Sequence, residues 1–114
     1  MDDCLFCKIS HKKIPVDIVY EDEHVFVIRD INPQAPSHLL AIPHAHFAGI
    51  HLVPKENHDL FKHLYAAVQK VVISEGLEAK GYRLVVNFGS PAGQSVDHIH
   101  VHILSGRAMQ WPPG

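Results

Sequence analysis

The chain has 114 residues and a formal charge of −2, with ten Lys and Arg against twelve Asp and Glu. That length is below the ~150 residues of a typical domain, so one compact domain with its own core is expected. With 46% hydrophobic and 19% charged residues, the composition excludes disorder and fibre, and no basic field is present to attract nucleic acid or an anionic membrane.

The acidic start, Met1-Asp2-Asp3-Cys4, predicts no secretory signal, and no run of 18 apolar residues is present to span a bilayer, so the expected location is cytoplasmic. Cys4 and Cys7 are the only cysteines, and without a secretory signal this C-x-x-C spacing reads as a redox or metal pair before a structural bridge. Val16–Tyr20 and Val25–Ile28 are short β-branched and aromatic runs around the polar turn Glu21–His24, a hairpin signal. Asn32-Pro33-Gln34-Ala35-Pro36 then breaks the regular pattern, and a third strand, His38–Ile42, ends at Pro43. From about Asn57 to Glu75 the period becomes helical, with Leu60, Leu64, Ala67, Val68, Val71 and Val72 on one face. Asn57 is the predicted N-cap and Gly76 the predicted stop. Strands follow over Tyr82–Asn87 and about Val96–Leu104, separated by the Gly- and Ser-bearing loop Phe88–Gln94. The tail from Met109 is irregular. Five strands and one main helix predict an antiparallel α+β domain.

Eleven histidines outnumber the lysines and arginines together, and three of them alternate in His98-Ile99-His100-Val101-His102. On a strand these imidazoles share one face while Ile99, Val101 and Ile103 share the face toward the helix. Same-face neighbours lie roughly 6.5–7 Å apart, close enough to address one small group. A half-buried strand that merely carries histidines accounts poorly for strict alternation. Two chemistries remain: a metal face, which needs another converging ligand, and attack on phosphorus by a neutral imidazole. Upstream, Asn87–Ser95 offers backbone N–H groups near the histidines, and Ser95 offers a hydroxyl three positions before His98.

His98-Ile99-His100-Val101-His102-Ile103-Leu104 resembles the alternating signature of the histidine triad family. Gly93-Gln94-Ser95-Val96, Gly106-Arg107 and Trp111-Pro112-Pro113-Gly114 resemble its Hint branch, the purine nucleoside phosphoramidases. Asp30–His38 and Gly81-Tyr82-Arg83 extend the resemblance over nearly the whole sequence. It implies a five-stranded antiparallel sheet with one main helix and a short N-terminal helix, and a homodimer joining two sheets. It also implies hydrolysis of nucleoside 5′-phosphoramidates through a nucleotidyl-histidine. His100 then matches the nucleophile, His98 and His102 its flanking partners, His38 the fourth histidine of the site, and Asp30 the ribose-binding carboxylate. Phe6, Ile9, Ile28 and Ile31 match the purine slot, and Asn87, Gly93, Gln94 and Ser95 the polar groups around phosphate and leaving group. Arg29, Phe88 and Pro91-Ala92 depart from the family pattern and put substrate details in question.

For the cysteines the resemblance implies a Cys₂His₂ structural zinc site of Cys4, Cys7, His46 and His98. Two reduced thiols packed beside Phe6 are the alternative. His11, His24, His51, His58 and His63 are expected on the surface. Competing functions are dinucleoside polyphosphate hydrolysis, against which the Trp-Pro-Pro-Gly ending argues, and a non-catalytic nucleotide- or zinc-binding module.

Overall fold

A computed structural model describes residues 3–114; Met1 and Asp2, the first half of the acidic start, lie outside the described residues. The elements are α1 (Leu5–Ser10), β1 (Ile18–Glu21), β2 (Val25–Arg29), β3 (Ser37–Pro43), α2 (Asp59–Ser74), β4 (Tyr82–Val85) and β5 (Val101–Ser105). The strands form one antiparallel sheet in the order β1-β2-β3-β5-β4. This is the expected α+β architecture, including the short N-terminal helix.

Local chemistry explains the hairpin. Asp22 Oδ1 accepts from the N–H groups of His24 and Val25, each at 2.8 Å, so a single carboxylate closes the β1–β2 turn. Alternation then divides the sheet into two faces. Val25, Val27, Leu39, Ala41, Val101 and Ile103 pack with Leu64, Ala67, Val68, Val71 and Val72 of α2 to form the main core. Phe26, Ile28, Leu40 and Ile42 point the other way and pack with Phe6 and Ile9 of α1.

The C-terminus of α2 follows the sequence reading. Gly76 adopts φ +68°, its N–H bonds to Ile73 O at 3.1 Å, and the N–H of buried Leu77 bonds to Val72 O at 2.9 Å. This is a Schellman stop, with the apolar residue beyond it folded back onto the core. The N-terminus differs from expectation. Asn57 closes a separate 3₁₀ turn, Lys55–Asn57, and His58 precedes α2 without a side-chain cap. The Pro54 carbonyl closes that turn by accepting the Asn57 N–H at 2.9 Å, and the cap position moves on by one residue.

β5 is shorter than expected. Its ladder with β3 starts at Ala41↔Val101; continuing that register would set His100 against Ile42 and Ile99 against Pro43, which has no N–H to give, and residues 96–98 lie past the end of β3. That segment bends instead, with His98 N–H bonded to Val96 O and Ile99 N–H to Phe47 O, both at 2.8 Å. Only His102 of the three alternating histidines therefore lies in a strand. β4 likewise stops at Val85 rather than Asn87.

Candidate active site

The sheet face opposite α2 floors a cavity of about 580 Å³. His102, Leu40 and Ile28 stand in one row across three neighbouring strands and form its base. Phe6 and Ile9 of α1 form one wall, and Ile14 and Val16 another. His100 and Ser95 lie at one end, and Asp30 marks the rim where β2 ends. A largely apolar cleft with a few polar groups at one end suits a flat aromatic ligand carrying a polar head.

Within this site, main-chain atoms fix the proton positions on the imidazoles. His100 Nδ1 lies 2.7 Å from His98 O. A carbonyl only accepts, so Nδ1 carries the proton and Nε2 keeps its lone pair. Edge contact with Phe6, ring centroids 5.0 Å apart, holds the ring's orientation. The Gln34 N–H donates to His38 Nδ1 at 3.0 Å, which places the His38 proton on Nε2. That Nε2–H faces His102 Nδ1 at 2.9 Å, with Asp30 Oδ2 at 3.4 Å. His102 therefore carries its own proton on Nε2.

Burial keeps these rings neutral. It pushes His100 and His38 below the ordinary histidine value, opposed in each by the Asp30 charge and in His100 also by the bond to His98 O. His102 is lowered to about 4 by burial and then by His100 and His38. Near neutral pH the site thus holds uncharged imidazoles beside one carboxylate.

His98 belongs to a different cluster. Its ring is fully buried, and Nε2 donates to Pro43 O at 2.8 Å. Its Nδ1 lone pair consequently points at Cys4 Sγ (3.3 Å), Cys7 Sγ (3.7 Å) and His46 Nδ1 (3.0 Å). All four ligand atoms lie within 4.8 Å of one another. Tetrahedral zinc with two sulfurs and two nitrogens has ligand–ligand edges of roughly 3.3–3.8 Å, so this donor set fits the ion in chemistry, spacing and tautomer. Burial, together with the neighbouring Cys4 thiol, raises the Cys7 thiol above its ordinary value, which a bound cation would reverse. Asp30, His38 and His102 also lie within 4.8 Å of one another. There the tautomer argues against a metal, because the His38 nitrogen facing the cluster carries a proton.

Of the residues expected around the nucleotide, Phe6, Ile9, Ile28, Ile31, Asp30 and Ser95 line the cavity, although Ile31 is 98% exposed. Asn87, Gly93 and Gln94 lie outside that lining. The Gln94 side chain accepts from Gly89 N–H at 2.8 Å and donates to Ala48 O at 2.9 Å, so it braces the loop. Arg29 also borders the cavity, and its guanidinium pairs with Glu75, 2.9 Å distant, at the end of α2. Sequence reasoning missed Ser10 and His44: Ser10 Oγ donates to His44 Nδ1 at 2.7 Å, fastening the end of α1. It also missed the wall residues Ile14 and Val16, whose signal was the short apolar run before β1.

This fold and paired histidine site define the class: the protein belongs to the histidine triad family. The family profile described as "Scavenger mRNA decapping enzyme C-term binding" matches residues 3–111. A HIT family hydrolase of Legionella pneumophila is 48% identical and superposes with a TM-score of 0.93 over 98% of this chain and 100% of its own. A 14 kDa zinc-binding protein of Zea mays is 47% identical over 96% of this chain and 87% of its length. A histidine triad nucleotide-binding protein of Candida albicans is 31% identical, with a TM-score of 0.84 over 98% of this chain and 85% of its own.

Proposed function

We propose that this protein is a purine-nucleotide-binding hydrolase that cleaves the P–N bond of nucleoside 5′-phosphoramidates. The carrying observation is the His100 imidazole, uncharged and with its Nε2 lone pair free, at the head of an apolar cleft. The purine lies between the Phe6 and Ile9 wall and the Ile28 side, and Asp30 accepts from the ribose hydroxyls. Ile31 borders the base from the rim, and Ser95 stands at the phosphate end, on the loop that Asn87 and Gly93 help build and the Gln94 side chain braces.

His100 Nε2 attacks the α-phosphorus, forming an N–P bond as the P–N bond to the amine breaks. Positive charge that develops on the ring is held by its Nδ1–H bond to His98 O. The departing nitrogen takes its proton from solvent at this end of the cleft, a proton that the attacking water later returns, while His102, held by His38 and Asp30, keeps its Nε2–H as a donor to the phosphate oxygen. Water then displaces the nucleotide from His100, giving a nucleoside monophosphate and restoring the imidazole. Cys4, Cys7, His46 and His98 would hold a zinc ion, which when bound would supply a structural cross-link between α1, the loop after β3 and the segment before His100. HIT hydrolases and a zinc-binding protein among the relatives support this reading.

Residues 1–114 form one such domain, paired as a homodimer in the cytoplasm. Tyr65 and Ile73 on α2 and Tyr82 on the edge strand β4 are exposed beside one another, an apolar face suited to a second copy. The experiment is turnover of an adenosine phosphoramidate carrying a fluorescent amine, with His100→Ala and a dinucleoside polyphosphate as comparisons. Release of the amine by the parent protein only, with adenosine monophosphate still bound by His100→Ala, supports the proposal. Faster cleavage of the polyphosphate, binding without turnover, or an active His100→Ala refutes it.

A further inference from the structure

The geometry points to Cys4 and Cys7 as a peroxide-oxidation site that controls the nucleotide cleft. The inference rests on the nucleotide reading above and adds regulation to it. Cys4 is half-buried and borders a second cavity of about 450 Å³ beside His46, whereas Cys7 is buried. An oxidant entering from solvent therefore meets Cys4 first. The two sulfurs lie within 4.8 Å of each other in one helical turn, Cys4 Sγ also accepting the Cys7 N–H at 3.5 Å. Neither sulfur takes part in the reaction at His100.

The chemistry balances with hydrogen peroxide as oxidant. Cys4 thiolate attacks one peroxide oxygen, the O–O bond breaks, and hydroxide leaves, giving a sulfenic acid. Cys7 thiolate attacks that sulfur, the S–S bond forms, and the S–O bond breaks with a second hydroxide leaving. Two protons convert the hydroxides to water, so two thiolates are oxidised by two electrons and one peroxide is reduced. A disulfide cannot serve as a thiolate pair, and His46 and His98 alone are too few to retain a structural zinc ion.

Two connections carry the change to the cleft. α1 has only six residues, too few to persist without tertiary anchors, and it supplies the Phe6 and Ile9 wall. Its N-terminal anchor is this cluster. The second connection is His98 itself, whose ring the sulfurs face and whose carbonyl holds the His100 proton. Oxidation thus loosens the wall and the support of the nucleophile together.

The test treats reduced, zinc-loaded protein with hydrogen peroxide. It follows intact mass, zinc release to a chromogenic chelator, and affinity for adenosine monophosphate by calorimetry. Expected are a loss of two hydrogens per chain, one zinc released per disulfide, and affinity weakened about ten-fold, the order seen when one apolar contact of a pocket is lost. Dithiothreitol with added zinc restores the starting affinity, and Cys4→Ser with Cys7→Ser makes affinity insensitive to peroxide. Chelation of the reduced protein, which leaves the fold's thiols intact, weakens binding by the same route and covers a double variant that fails to fold. Thiols that stay reduced, sulfinic acid in place of a disulfide, or a disulfide without change in affinity each overturns the inference. A reduced, loaded protein that binds no nucleotide instead overturns the nucleotide reading and the control of it, while mass and zinc release still decide the oxidation site.

Discussion

Truncating Phe6 probes the joint between stability and the site. Its ring is 4% exposed, lies in the cluster with Ile28 and Leu40, and meets both His98 and His100 edge-on. Buried Phe→Ala changes cost about 3–5 kcal/mol. Here the void would open onto the existing cleft, where water can enter, so the lower end, about 3 kcal/mol, is expected. That is a large part of the stability of a domain this size and lowers its melting temperature by roughly 10 °C. Phe6→Leu retains most of the buried area and is expected to cost about 1 kcal/mol, while still losing the aromatic edge against His100. Urea unfolding of both variants reads the stability, and turnover of the phosphoramidate reads the site. Phe6→Leu is expected to lose more kcat than its small destabilisation accounts for. A Phe6→Ala protein as stable as the parent, or a Phe6→Leu protein with parental kcat, would refute the reasoning.

Three further expectations come from the same geometry. Because burial holds His100 below the ordinary histidine value, the acid half-maximum of kcat/KM should lie below pH 6.5; a half-maximum above 6.5 contradicts the assignment. His102 binds its proton near pH 4 when folded but near 6.5 when unfolded, so unfolding takes up a proton between those values. Its contribution to stability is complete above 6.5 and drains away as pH falls toward 4, a slope that His102→Asn should reduce in pH-dependent urea titrations. Elemental analysis should find one zinc per chain in protein purified without chelator or affinity tag, and light scattering at micromolar concentration should give twice the monomer mass.

The helix and the sheet were legible because their signals are periodic. Leu64, Ala67, Val68, Val71 and Val72 repeat at helical spacing, and all five are buried against the sheet. The alternating isoleucines and valines near the C-terminus likewise face α2. What failed were boundaries set by distant partners. Residues 96–100 alternate like a strand, yet the ladder with β3 stops at Ala41↔Val101, two residues short of Pro43, and Ile99 N–H bonds to Phe47 O instead. Asn57 has the side chain of a cap, but it is the last residue of the 3₁₀ turn Lys55–Asn57, and His58 stands at the cap position of α2. At the site, three alternating histidines suggested one shared task. The fold separates them, turning His98 toward the cysteines while His100 and His102 line the cleft. The ligand set Cys4, Cys7, His46 and His98 came from family resemblance, since two cysteines and a distant histidine carry no local pattern. Gln94 looked like a ligand-binding residue next to Ser95, and only tertiary contact with Ala48 reveals its bracing role.

The carbonyls of Pro43 and His98 and the N–H of Gln34 decide which nitrogen of each neighbouring ring is reactive. None of these atoms belongs to a side chain. An alanine scan would therefore leave the proton pattern in place at Pro43 and Gln34, because the replacement keeps the carbonyl of the one and the N–H of the other, and at Pro43 it would read only the loss of a buried ring. Variation at such positions is constrained by backbone path rather than by residue identity, so sequences can drift there while the chemistry is held constant. The effective way to disturb the proton pattern without touching a histidine is Gln34→Pro, which deletes the one N–H that orients His38.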